Sequence, residues 1–151
     1  MLRQNETPDA PWPCELRVDL RINNKVRFAH YENFAIGDEH DNFRLSLNSY
    51  SGTAGDGFRS GHDGISFSTP DRDNDHYVPN LPSGHPVQTP ASCAKERQSG
   101  GWFTNCGDNN LNGVWGVKDT HGNFWWPLDN AYVPVTFSEM KVRIKDNSSS
   151  T

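Results

Sequence analysis

What this chain of 151 residues lacks narrows the field before any motif is read. It has three cysteines and none in CxxC spacing, so a finger-type zinc site is excluded. No apolar run reaches the eighteen residues a membrane helix needs. The first residues, MLRQNETPDAP, lack the apolar core of a signal peptide, so a mature chain or fragment is expected, its targeting segment removed. There is no basic block, and the net charge of -5 makes nucleic acid and anionic membrane poor partners.

Catalytic signatures are missing too. The six histidines show neither HExxH nor any other zinc-site spacing. Ser60, His62 and Asp63 are neighbours in sequence, but no GxSxG elbow accompanies them, and nothing sets Glu96 and Asp108 at a glycosidase separation. The chain is therefore not expected to be an enzyme. His76, beside an aspartate cluster, could couple cation affinity to pH or be a solvated surface imidazole.

What is present reads as one loop-rich, strand-built domain. With 33% apolar residues, 13 glycines, 10 prolines and no long 3.6-residue period, the chain is not helical. Alternation predicts half-buried strands over 15–20 (Leu16, Val18, Leu20), 43–47 (Phe43, Leu45, Leu47) and 140–144 (Met140, Val142, Ile144). The first and last lie at opposite ends of the sequence, which predicts a sheet closed by non-local pairing. Residues 49–61 and most of 71–92 read as loops. Residues 1–13 are expected to form a flexible arm, 14–145 the domain and 146–151 a disordered tail. Two sequons, at Asn5 and Asn147, suit a secreted glycoprotein. Most of Trp102, Phe103, Trp115, Trp125 and Trp126 should be core, with a minority lining a ligand slot.

The run PDRDNDHYVPN places Asp71, Asp73 and Asp75 at every second position between Pro70 and Pro79, so neither helix nor regular strand fits. Hard oxygen donors of this kind favour Ca2+ over Zn2+. An EF-hand is rejected, because His76 takes its glycine position and Pro82 that of its bidentate glutamate. A plain polar turn remains the alternative.

This segment does not stand alone. Gly55-Asp56, FSTPDRDND at 67–75, Cys93-Ala94, Gly101-Trp102-Phe103, Cys106 and Leu111-Asn112-Gly113 follow in order, flanked by ELRVDL at 15–20 and SEMKVRI at 138–144. Together they resemble the carboxy-terminal domain of fibrinogen, ficolins, tachylectins, tenascins and angiopoietins, nearest in wording to ficolins and tachylectins. The resemblance covers 15–144 and lacks the family's amino-terminal subdomain.

The resemblance implies an α+β, mainly β fold with a mixed, largely antiparallel sheet and a long-loop calcium- and ligand-binding region. It implies Ca2+ held by the side chains of Asp73 and Asp75 and the carbonyls of Tyr77 and Pro79, with Asp71 an outer charge. It implies a Cys93–Cys106 disulfide, worth about 3 kcal/mol for a loop of this size in the chain-entropy model, and a cis peptide between Asn105 and Cys106. The amides of Cys106 and Gly107, with Phe124 and Tyr132 as aromatic walls, would receive an acetyl group. Departures are Gly107 for the usual histidine, Arg97 for a frequent tyrosine, and the insert LPSGHPVQTPAS before Cys93. Cys14, left without an intrachain partner, could bridge to another copy, take a redox partner or stay free.

The function expected is that of a secreted, calcium-dependent lectin of innate-immunity type, binding carbohydrate or N-acetylated groups as a homo-oligomer. The alternative is a protein-binding domain of matrix, signalling or clotting. Neither nucleic acid nor membrane insertion is expected.

Overall fold

The computed structural model describes residues 14–58, 64–75 and 92–145. Its frame is a four-stranded antiparallel sheet in the order β3-β2-β1-β4, built from β1 (Cys14–Ile22), β2 (Lys25–Ile36), β3 (Leu45–Gly52) and β4 (Phe137–Ile144). The first and last strands pair along their whole length, from Cys14 opposite Ile144 to Arg21 opposite Phe137, as the non-local reading predicts.

The longest strand, β2, is one that alternation alone did not reveal. It is joined to β1 by Asn23 and Asn24, at φ 46° and 64°, the left-handed pair that a two-residue type I′ hairpin requires. Asparagine tolerates that region better than most residues, and so the turn forms without glycine. The third strand begins later than expected. The Asp38 carboxylate caps a short 3-10 turn at Glu39–Asp41, and Asn42 and Phe43 then take φ 50° and 53°. Phe43 therefore lies exposed in a turn rather than in a strand, and β3 runs on to Gly52, into the region read as loop.

Leu16, Val18, Leu20 and Ile22 of β1 are buried, as are Ala29, Tyr31, Phe34, Leu45 and Leu47 of the neighbouring strands. Onto this face folds the long segment between β3 and β4, which contributes Ala54, Phe58, Trp125 and Val135 to the same core. Trp125 lies edge-on to Phe58 at 5.5 Å, and a Cβ on Gly57 would come within 2.4 Å of its ring, so only glycine lets the backbone pass. Its indole N–H donates to the Gly55 carbonyl at 3.1 Å. Tyr31 reaches the same region, donating its hydroxyl to Asp56 at 2.7 Å. Burial and the Asp56 charge push the Tyr31 phenol well above its usual range, which keeps it a donor.

The fourth strand departs from the expected half-burial. Met140, Val142 and Ile144 are 44%, 56% and 74% exposed. They share the face of Leu16 and Val18, being directly opposite them or Cys14 in register. Among the described residues the long segment packs on β1 to β3 and meets this outer strand at Met140, which borders a hollow shared with Trp102 and Leu111, while Val142 and Ile144 stay largely in solvent.

The other face is charged. Asp19 takes Lys141 and Arg17, Glu15 takes Arg143 and His30, and Arg17 stacks 4.2 Å above Phe28.

Candidate functional site

Three pieces of the long segment meet on the side of the core away from the sheet: the aspartate loop to Asp75, the cysteine loop 93–107, and the aromatic wall around 124–132. Almost none of this is regular structure, so side chains must pair the backbone. Asn109 donates to the Gly57 carbonyl and Asn123 to that of Val135, both at 2.8 Å. Asn110 donates to the carbonyls of Arg97 and Gly122 while accepting from Ser99, all within a fully enclosed site. The three amides act as a substitute for a ladder.

The aspartate loop is anchored through Ser68, whose N–H and carbonyl pair with Gly101 and whose hydroxyl accepts the Asn74 N–H at 3.0 Å. Asn74 donates its amide to the Phe67 carbonyl at 2.7 Å. Asp73 accepts the N–H of Asp75 at 3.1 Å, an Asx-type turn that bends the backbone inward. Asp75, 2% exposed, then accepts the N–H of Cys93 at 2.7 Å. That bond ties the carboxylate loop to the first residue of a short helix, α1 (Cys93–Arg97), whose other cap is the Ser92 hydroxyl. Asp71 stays exposed, and the Thr69 hydroxyl lowers its carboxyl below the usual range. Tyr77 and Pro79, expected to supply carbonyls, and His76 lie outside the described residues. So do the arm 1–13, the tail 146–151 and both sequons.

The Cys93–Cys106 disulfide is formed, with the Cα atoms 5.0 Å apart. Its sulfurs pack with Ala94 and Phe103 in a small core of their own. Cys14 is unpaired and half-buried. The peptide before Cys106 differs from expectation: no cis bond occurs among the described residues, and Asn105–Cys106 is trans. The backbone reverses instead through three successive left-handed residues, Asn105, Cys106 and Gly107, at φ 44°, 56° and 60°. A cis non-proline bond costs about 3 kcal/mol, and the left-handed turn makes it unnecessary. The Gly107 N–H, expected to face a ligand, is donated to the Thr104 carbonyl at 3.1 Å.

Phe124 and Tyr132, expected as aromatic walls of a ligand slot, stand edge to face at 4.9 Å, with Trp126 against the far side of Tyr132, also at 4.9 Å. Between them and the turn lies Arg97, a residue sequence reasoning noticed but did not place in the site. It follows Cys93 by four positions, hence on the same helix face as the disulfide. The residue is 4% exposed, and its guanidinium donates to the carbonyls of Cys106 at 3.2 Å and Thr120 at 3.0 Å and lies 5.2 Å from the Phe124 ring and 5.7 Å from that of Tyr132. The structure thus brings Cys106, Phe124 and Tyr132 together around a cation of the protein itself, with Asn105 exposed at the rim.

Against known proteins, residues 7–145 match the family described as the C-terminal globular domain of the beta and gamma chains of fibrinogen. The chain belongs to that family. It is 38% identical to human tenascin-R over 130 residues, covering 85% of this chain and 9% of that protein. It is 34% identical to human fibrinogen-like protein 1, covering 87% of this chain and 43% of that protein. The fibrinogen-like globe domain of human ANGPTL6 superposes with a TM-score of 0.75 at 31% identity, over 89% of this chain and 58% of that one. Lamprey fibrin D-dimer, solved with the peptide Gly-His-Arg-Pro-amide, gives 0.69 at 27% identity, over 91% of this chain and 48% of that one. The chain therefore spans less than half the length of these curated relatives. No described helix is long and apolar enough to cross a membrane.

Proposed function

We propose that this chain is the recognition domain of a secreted protein and that its partner is a protein of the matrix or of cell-surface signalling rather than a free sugar. The observation that carries this is the 38% identity to tenascin-R, supported by the similarity to fibrinogen-like protein 1 and to the angiopoietin-like globe. This reverses the order in which the two readings emerge from sequence wording, where the ficolin likeness puts the lectin first. The work is binding, and no turnover enters the reading.

Calcium belongs to the same proposal. The donors fit it: Asp73 and Asp75 are hard oxygen ligands two residues apart in one loop. Asp73, Asp75 and the carbonyls of Tyr77 and Pro79 would hold the ion, whose contribution is electrostatic bracing. Because Asp75 also receives the Cys93 N–H, order at the aspartate loop passes directly to the disulfide loop.

The test is adhesion of the purified domain to matrix-coated or cell surfaces. Binding that protease treatment of the surface abolishes, and N-acetylglucosamine leaves intact, is expected. Competition by N-acetylglucosamine on a glycan array would favour the lectin reading instead. Calcium should raise the melting temperature of the wild type but not of Asp73→Ala; equal shifts would remove Asp73 from the ligand set.

A further inference from the structure

The slot expected to take an acetyl group is lined, in this protein, by the wrong polarity for one. An acetamido carbonyl needs donors, yet the groups aimed inward are the carbonyl oxygens of Cys106 and Thr120, and these only accept. The walls are the π faces of Phe124 and Tyr132, whose quadrupoles attract cations. Acceptors at two sides and aromatic faces at the others describe a receptor for a planar, multiply donating cation. Arg97 is that cation, enclosed to 4% exposure, and among the described residues no carboxylate lies within ion-pair distance of it. Among those residues its charge is held by carbonyl dipoles and rings.

We propose that the space bounded by Cys106, Thr120, Phe124 and Tyr132 is a guanidinium cage, filled by the protein's own Arg97. Emptied of that side chain, it is a site for alkylguanidinium ions, the arginine side chain of a peptide included, in preference to acetamido groups. The inference concerns the slot itself and does not depend on which macromolecule the domain binds. It makes Arg97 the residue that decides what the slot accepts. A planar fork with donors on several edges satisfies both carbonyls while stacking, whereas an ammonium is a point charge that cannot do both as well.

The experiment is chemical rescue of Arg97→Ala. The variant should melt roughly 5 °C or more below the wild type. Ethylguanidinium at tens of millimolar should restore about 2 °C or more of that loss, because a ligand that binds only the folded state shifts the equilibrium by mass action. Ethylammonium and N-acetylglucosamine at the same concentration should restore nothing, and the wild type, its cage already filled, should show no upward shift with ethylguanidinium. Rescue by ethylammonium to the same degree, stabilisation by N-acetylglucosamine, or an equal upward shift in the wild type would overturn the proposal.

Should Arg97→Ala fail to fold, the native protein decides. Nitrogen-15 spectra should then show an Arg97 guanidinium with slowed rotation about its C–N bonds and a ring-current shift. Signals averaged like those of free arginine would refute the cage.

Discussion

The sheet and the long segment that folds onto it bury polar backbone by opposite means. In the sheet, three antiparallel pairings satisfy the backbone, and side chains are left to alternate between core and solvent. Between β3 and β4 the described residues form isolated bridges, one short helix and scattered turn bonds, and side-chain amides and a guanidinium satisfy further backbone carbonyls. The sheet's stability is thereby spread over many equivalent contacts, whereas the long segment concentrates its own in a few residues. A single substitution should be felt locally in the second region and diluted in the first.

The largest effect should come where the two regions join. Trp125→Ala removes the ring that seats the long segment on β1 to β3, and should cost about 3–5 kcal/mol in urea unfolding. If the regions are one cooperative unit, the transition stays single; two separated transitions would show that the comparison marks two folding units.

Replacing both Cys93 and Cys106 by serine comes next, at about 3 kcal/mol. Hydrogen exchange should quicken across 93–135 while the β1–β2 amides keep their rank order of protection. Uniform acceleration over the whole chain would erase the distinction. Asn110→Ala is smaller, about 1–3 kcal/mol, since it strands the carbonyls of Arg97 and Gly122 and the hydroxyl of Ser99 without their partner. A sheet-surface substitution such as Glu139→Ala should change stability by less than about 0.5 kcal/mol. Similar losses from both would contradict the contrast.

The same division governs what could be read from sequence. Leu16, Val18 and Leu20 announce a strand because burial in a sheet repeats every two residues, and the pairing of both ends of the sequence follows from that. The second strand is hidden because its turn is Asn-Asn, a weaker signal than Asn-Gly, and because Val26 and Phe28 on its charged face and Arg27 on its core face break the alternation. The apolar pattern of Met140, Val142 and Ile144 gave a strand but not its exposure, because burial depends on how far the distant loop segment reaches. In that segment, periodicity carries no information. The resemblance gives the disulfide, yet the role of Arg97 depends on a carbonyl at 120 that no local pattern connects with position 97.

The smallest effect tests the charged face of the sheet. Burial acts to raise the Asp19 carboxyl, but hydrogen bonds from Lys141 and Arg17 outweigh it and leave it below the usual carboxylate range. The bond to Asp19 and, after it, the bond to Glu139 raise Lys141. For Asp19 the stabilisation is present above the unfolded value, near pH 4, and is lost as pH falls through the depressed folded one. For Lys141 it is present below about pH 10.4 and is lost as pH rises through the folded value. The pair therefore stabilises the sheet across the neutral range and fails at both ends. Asp19→Asn should flatten both slopes in urea midpoints, the acid one because the titrating group is gone and the alkaline one because Lys141 loses its main partner. The regions would then differ in a second way: the sheet's outer face would respond to pH, while the guanidinium-held slot, whose partners are carbonyls and rings, would not. If the variant kept both slopes of the wild type, the pH response would originate outside this pair, in Glu15 and its partners on the same face or in the long segment, and Asp19 and Lys141 would carry none of it.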